Sequence, residues 1–491
     1  MKTPSQITFD TLMQNLARGV ISSDFSYTPG FHIYGDLSLN LPLSAAEDDK
    51  NASRYLDILQ DYASIVDVCA QNVGAHLLEV QGERIHILLP VENLSAEAFK
   101  KLFAFCISFT KTVYEKIKPK AGEHWGGFAM AADFGPSVLL HSDCGGGSIV
   151  SLGNAANRPA KRLGKTPAVK SGHCAIRREI LEKHFAIAEK TEWVEVNVLQ
   201  PGNFITSFAD PALTEKMLSL AKGVLENRRA FGSILFANVS EFSDPAASTV
   251  KSPIRVRGVF MRADLDGFTK QVEAAFAKGP QAILELVARF RAIMNYPRQF
   301  VSSMKRPAVE LPWAGDCAPL ILMPKDGEKI SGARKYLPAT AATTWHEQES
   351  LEDLAKIQWV KNLGEARWSI GVACGDEQES DGVLLVANLE TSGRKFRVVA
   401  GWGARQARDA QESDNVKAED TVLPKSDHAN LDLVYQKPFR EHDSKFMIST
   451  YKSLKQSKDE DYNALGKILT VSVPGIKTSI PAAKPFSHGQ W

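Results

Sequence analysis

An α/β or α+β sandwich, repeated twice along the chain, is the fold class that the sequence predicts. Three observations carry it. Two stretches repeat the same order of elements, and strand-like runs are mixed with amphipathic helical segments long enough to cover a sheet. The composition is that of a globular chain: 44% hydrophobic and 23% charged residues, with 58 Lys+Arg against 57 Asp+Glu. At about 100–200 residues per domain, a length of 491 residues suggests two to four domains.

The first repeat opens on FHIYGDLSLN (31–40), read as a strand, followed by the helical pattern YLDILQDYASIVDVCAQNVG. HLLEVQGERIHILLP (76–90) is the next strand, with Gly82-Glu83 at a tight turn. The second repeat runs from RGVFMRADLDGFTK (257–270) through the helical QVEAAFAKGPQAILELVARFRAIMN to VELPWAGDCAPLILM (309–323), with Gly315-Asp316 at its turn. Each then continues with a helix and further strands. In the first repeat these are AFKKLFAFCISFTKTVYEKIK (98–118), GGFAMAADFGPSVLLH (126–141) and GGGSIVSLGNAANRPAKRLG (145–164). In the second they are SLEDLAKIQWVKNLG (350–364), RWSIGVACG (367–375), GVLLVANLE (382–390) and RKFRVVAGWGARQARDA (394–410). Between the repeats lie a short strand, WVEVNVL, a helix, DPALTEKMLSLAKGVLENRRA, and the Ser/Pro/Asp/Ala-rich loop SEFSDPAASTVKSP, which places a boundary near 250. The expected organisation is a first module over 25–190, a connector over 191–252, a second module over 253–455 and a peripheral tail over 456–491.

Several function classes drop out. A formal charge of +1 argues against a broad electrostatic grip on DNA. No run reaches the about 18 apolar residues of a membrane helix, and the N-terminus lacks a signal-peptide core. Six scattered cysteines without CxxC spacing suit a reducing cytoplasm and no zinc framework. The eleven histidines form no HExxH or HxxxH pair, and GGGS (145–148) lacks the GK[ST] of a P-loop. The expectation is a soluble cytoplasmic protein with no integral membrane contact.

The segment MRADLDGFT carries the most chemistry. An apolar strand ends in Asp264, and Asp266-Gly267-Phe268-Thr269 turns directly into a helix. Such a turn offers free backbone N–H groups at a helix N-terminus, a cradle for phosphate. A carboxylate at the strand end can hold a divalent cation against the same phosphates. Asp316, at the turn of LPWAGDCAPLILM, supplies a second carboxylate from the neighbouring strand. Two carboxylates holding two metals around a triphosphate suit displacement of pyrophosphate by a hydroxyl.

At these residues the chain resembles class III nucleotide cyclases. FMRADLDGFT is similar to their strand–helix turn, and AGDCAPLIL to their GDC-type hairpin. LGNAANRPAKRL is similar to their Asn/Arg motif at Gly153, Asn154 and Asn157, with Lys161 where the family has arginine. The resemblance implies an α+β fold of two ferredoxin-like modules forming an intramolecular pseudoheterodimer, with the active site between them. The second module has both metal aspartates, but Arg405 and Asp409 stand where Asn and Arg belong. The first has the Asn motif, but its second acid is Glu83 and GDLSLN lacks the GFT turn. Complementary losses imply one composite site, Asp264 and Asp316 facing Asn157 and Lys161, and one degenerate site.

The resemblance also implies roles. Asp264 and Asp316 hold two Mn2+ or Mg2+ ions, and Gly267, Phe268 and Thr269 cradle the β- and γ-phosphates. Asn157 orients the ribose, and Lys161, or Arg158 or Arg162 beside it, stabilises charge on the reacting phosphorus. Lysine lacks the bidentate fork of arginine, so Lys161 is a departure from the family. The base-reading positions of the Asn-bearing module fall on Glu79 and Val150 in place of the Lys and Asp of adenylyl cyclases. That disfavours ATP and leaves GTP, CTP and UTP, since a carboxylate can accept from a base N–H.

No sensory module is evident around the tandem pair, and in this the chain resembles the pyrimidine cyclases of Pycsar anti-phage defence. That implies a cyclic CMP or cyclic UMP messenger read by a separate effector. The alternatives are a guanylyl or adenylyl cyclase in general signalling, or a nucleotide-binding pseudo-cyclase without activity. A diguanylate-cyclase-like enzyme is disfavoured because no GGDEF-type run occurs. A further homodimer is compatible with the sequence.

Overall fold

A computed structural model of the chain describes residues 4–18, 20, 24–40, 49–142, 148–164, 168–187, 190–200, 211–226, 231, 234–236, 253–349, 367–374 and 382–457. The helix expected over 350–364, the loop 240–253 except its last residue, most of GGGS and nearly all of the tail lie outside these residues. Among the described residues no helix is long and apolar enough to cross a membrane.

Each half forms a mixed sheet. The first sheet runs in the order His76–Gln81, Arg84–Pro90, Phe25–Leu39, Trp125–His141, His173–Arg177, Trp193–Asn197, with Ile149–Leu152 paired onto the end of Trp125–His141. The second runs Ala308–Glu310, Cys317–Leu322, Val259–Asp266, Arg367–Ala373, Asp420–Pro424, Phe446–Thr450, Arg440–Glu441. In both, the central strand carrying the first acid lies between an antiparallel hairpin and a second long strand, which pairs in parallel with the next strand out. This is the tandem α+β architecture expected.

The details differ from the sequence reading in two places, the first helix of the second half and the connector. Gly279, at φ +93, followed by Pro280, splits the single expected helix into Phe268–Lys278 and Pro280–Met294. The hairpin expected around Gly315-Asp316 is present, formed by two short strands, Ala308–Glu310 and Cys317–Leu322. The strand Trp193–Asn197, placed in the connector, pairs with His173–Arg177 and extends the first sheet, and the helix Pro211–Glu226 packs on the first module's helices.

The joint between the halves is an exchange of arms. In the first half, the strand Phe25–Leu39 and its neighbour Trp125–His141 run past the sheet, and the end of Trp125–His141 pairs with Ile149–Leu152. Phe25, Val138, Leu140, Val150 and Leu152 of this arm are buried in the core formed by the second half's helices. In the second half, Val383–Thr391, Arg394–Ala400 and Ile254–Arg257 make the matching arm. Its Leu385, Ala387, Leu389, Phe396 and Val398 are buried in the core of the first half, against the helices Asp49–Val73 and Ala96–Thr112. Fully burying each large side chain contributes about 1.5–3 kcal/mol.

Polar contacts fix the register of this joint. The backbone N–H of Glu390 donates to Gln60 Oε1 at 2.9 Å, and Gln60 Nε2 donates back to the Glu390 carbonyl at 2.7 Å. Thr391 donates to Asp67 Oδ2 at 2.8 Å, and Ser392 donates to the same oxygen. Arg394 donates to the carbonyls of Leu77 and Leu78. Replacing Phe396 by Ala is expected to lower the unfolding free energy by about 3–5 kcal/mol in urea denaturation. A loss under about 1 kcal/mol, the size of a surface change, would mean the arm is not buried in solution.

Candidate active site

The strand Val259–Asp266 has two chemically distinct faces because side chains alternate. Val259, Met261, Ala263 and Leu265 enter the apolar core, which leaves Arg262, Asp264 and Asp266 on the opposite face. The chain then turns at Gly267, whose φ of +83 is the left-handed conformation that a side chain would disfavour. The helix Phe268–Lys278 starts immediately, so its first N–H groups lie beside the aspartates. The Phe268 ring itself is core, against Phe290. Its contribution to a phosphate cradle is therefore its backbone N–H.

Asp316 arrives from the adjacent hairpin. Asp264 pairs in register with Cys317, and the Leu265 N–H donates to the Asp316 carbonyl at 3.3 Å. Burial first, then the charge of Asp264, pushes the Asp316 carboxyl up to about 8. Asp264 is raised chiefly by burial, with Arg262 and Lys161 pulling the other way. Asp266 rises to about 6, from burial and from Asp264. Three crowded acids in one cleft are a site short of positive charge.

The first half supplies what faces them. Gly153 precedes the helix Asn154–Leu163, and a Cβ there would lie 2.8 Å from the Pro136 carbonyl oxygen, so the helix start seats directly on the neighbouring strand. Asn157 Nδ2 donates to Thr269 Oγ1 of the second half at 3.1 Å. Asn157 Oδ1 lies 3.6 Å from where a Gly315 Cβ would be. Lys161 is exposed, and its charge acts on Asp264, Asp266 and Asp316 alike. The structure thus brings together Asn157, Lys161, Asp264, Asp316, Gly267 and Thr269.

The two flanking arginines are engaged elsewhere. Arg158 bridges Asp133 of its own half (3.6 Å) and Glu273 of the other (4.0 Å), an inter-module tie. Arg162 is turned to Glu195 at 2.5 Å on the first sheet, so its expected place at the reacting phosphorus is not where its side chain sits. Glu79 is 2% exposed, and its Oε1 has no hydrogen-bond partner. Burial pushes its carboxyl up to about 8. Val150 is wholly buried in the arm's apolar cluster with Val138 and Leu140.

Sequence reasoning missed Arg262 and Glu412. Arg262 Nε donates to Cys317 Sγ at 3.0 Å, and its Nη2 lies 2.9 Å from Glu412 Oε1. Burial alone would lower its pKa, but Cys317, Glu412 and Asp264 outweigh that and hold it charged. The signal was present: a lone arginine in an apolar strand, two residues before Asp264.

At the opposite interface the corresponding acids, Asp36 and Glu83, meet arginines. Arg84 lies 3.6 Å from Asp36, and Arg405 and Arg408 offset the effects of burial and of Asp36 on Glu83, which is pushed up to about 7. A cavity of about 140 Å³ there is lined by Tyr55, Glu83, Arg397, Arg405 and Arg408 among others. Built-in guanidinium groups take the electrostatic place a cation would fill.

The fold is that of class III nucleotide cyclases. It is shared with a class III adenylyl cyclase-like ATP-binding protein from Pseudomonas aeruginosa, over 93% of this chain and 95% of that one, at a TM-score of 0.71 and 14% identity. The guanylyl cyclase Cya2 aligns over 36% of this chain and 96% of its own (15% identity, TM-score 0.27). The adenylyl cyclase CyaB from P. aeruginosa aligns over 40% and 94% (12% identity, TM-score 0.29). No family model and no curated protein matches the sequence. At 14% identity the likeness to the Pseudomonas aeruginosa protein shows the fold alone, and the site rests on the residues above.

No group of three or more His, Cys, Asp or Glu side chains is arranged for a metal among the described residues. The pair Asp264 and Asp316 still fits a Mg2+- or Mn2+-type ion, which is commonly held by one or two carboxylates with substrate phosphates completing its shell. The sign of the pH effect follows from the raised carboxyls. The protonated form of Asp316 stabilises the fold at low pH, and that contribution is lost as pH rises from its ordinary 3.8 through about 8. A bound cation replaces the lost proton. Mn2+ should therefore raise the melting temperature more above pH 8 than at about pH 5, and Asp316→Asn should remove most of that gain. Equal Mn2+ shifts in both proteins would place the ion elsewhere.

Proposed function

We propose that the protein is a nucleotide cyclase, converting a nucleoside triphosphate to its 3′,5′-cyclic monophosphate and pyrophosphate at one composite site. The observation that carries this reading is the meeting of Asn157 with Thr269 across the module joint, at the start of the helix that follows Asp264 and Asp266. Attack by the ribose 3′-hydroxyl on the α-phosphorus needs three things: a positioned sugar, compensation of phosphate charge, and a leaving pyrophosphate held in place.

In this reading Asn157 orients the ribose and Lys161 offsets charge on the pentavalent phosphorus. The N–H groups at Gly267, Phe268 and Thr269 receive the β- and γ-phosphates. Asp264 and Asp316 would hold two divalent cations, Mn2+ or Mg2+, which when bound lower the pKa of the hydroxyl and neutralise the leaving group. Glu79 accepts from the base. The Pseudomonas aeruginosa protein of this fold binds ATP, whereas the lysine and aspartate that read adenine are Glu79 and Val150 here. We therefore favour a non-adenine substrate and, among those, a pyrimidine (CTP or UTP) giving cyclic CMP or cyclic UMP. The anti-phage role and a separate cyclic-nucleotide effector rest on the sequence resemblance alone, and a cytoplasmic location on the six scattered cysteines without CxxC spacing.

A second reading, nucleotide binding without turnover, is favoured by Lys161 in place of arginine. Mass spectrometry of products from each of ATP, GTP, CTP and UTP with Mn2+ separates the two. A cyclic product abolished by Asp264→Asn supports the cyclase; no product from any nucleotide supports the binding protein. Lys161→Ala is expected to lower kcat by about 10²–10³-fold, and Lys161→Arg to retain turnover. An unchanged kcat in Lys161→Ala would remove that residue from the reaction.

A further inference from the structure

Three adjacent strands of the first sheet place Glu79, His86 and Tyr34 in one cross-strand row. Glu79 is in register with His86, and His86 with Tyr34. The alternate residues Phe31, Ile33 and Leu37 face the helical core, so His32, Tyr34 and Asp36 lie on the opposite face of the sheet. The next residue in the row is Ala131, fully buried in the same apolar cluster as Tyr34.

The Tyr34 ring is fixed. It stacks on His86, centroids 4.2 Å apart at 13°, and His86 Nε2 shares a 2.9 Å hydrogen bond with His32 Nδ1. Its other side packs with Leu163 and, more loosely, Ala160, both on the helix that carries Asn157 and Lys161. Tyr34 is 8% exposed. Burial raises the Tyr34 pKa, and Glu79 on its own half and Asp316 on the other add to that, so its hydroxyl stays a neutral donor. Glu79, at the end of the same row, keeps Oε1 buried and unpartnered, an arrangement that costs stability unless a ligand satisfies it.

We propose that Tyr34 is a specificity-determining residue of the composite site, its hydroxyl hydrogen-bonding the nucleobase edge beside the group that Glu79 contacts. The inference rests on reading the cleft as a nucleoside triphosphate site, and it supplies the second polar reader that Val150 does not provide. Every nucleobase presents a donor next to an acceptor on its pairing edge, so two fixed partners of complementary kind suffice to read one. A rigid aromatic hydroxyl is well suited because little rotamer freedom is lost on binding.

The test uses the full-length protein, Mn2+ and the four 3′-deoxynucleoside triphosphates, which lack the attacking hydroxyl, with affinities measured by calorimetry. Tyr34→Phe keeps the ring and its stacking, so its melting temperature should match the parent. Its affinity for the preferred nucleotide should fall by about tenfold, the size of one hydrogen bond, while the others change little and the ranking flattens. Glu79→Gln should flatten the same ranking. Equal change for all four bases, no change for any, or a parent that binds all four equally would overturn the proposal and leave the triphosphate reading standing. A parent that binds none of them would overturn both.

Discussion

The burial of each module's β-arm in the core of the other is the constraint on which the rest depends. Neither Phe396 nor Leu140 completes the core of its own half; each fills the opposite one. Because interiors are close-packed, such an exchange fixes the two sheets to within small shifts. The precision shows at the surface of the joint, where Asn157 reaches Thr269 at 3.1 Å and Arg158 spans Asp133 and Glu273. A site assembled from two halves needs that rigidity, since misplacing a reacting group by about 1 Å can cost about 10²-fold in rate.

The two interfaces share a topology but differ in charge. At one, burial and the charge of Asp264 raise Asp266 and Asp316 against the charge of the exposed Lys161, an arrangement that suits added cations and a polyphosphate. At the other, Arg84, Arg405 and Arg408 answer Asp36 and Glu83 from within the chain. In the proposed reading, this difference in charge leaves one interface open to metal-assisted chemistry. Arg262 stands close to both, bound to Glu412 and held charged partly by Asp264, and couples the electrostatics of the two clefts.

Much of this was legible in the sequence because the motifs are local. The run from Asp264 to Thr269 specifies strand, left-handed turn and helix by itself, and Gly315-Asp316 specifies a hairpin. The split at Gly279-Pro280 was also locally encoded, by a dipeptide that breaks helices. What the sequence did not disclose is non-local. Apolar alternation in Leu385–Leu389 says that a face is buried, not whose core buries it. The turning of Arg162 to Glu195 depends on a strand read as connector, and the row of Glu79, His86 and Tyr34 depends on a register shifted between Leu77 and Glu79.

The claim that one composite site is formed within the chain is tested most directly by a crystal structure with Mn2+ and a 3′-deoxynucleoside triphosphate. Anomalous scattering locates the manganese without reference to the protein. The account predicts manganese on Asp264 and Asp316, the triphosphate at the N-terminus of the helix Phe268–Lys278, and the ribose against Asn157 of the same chain. Manganese on Asp36 and Glu83, or a triphosphate held away from Lys161, would contradict it.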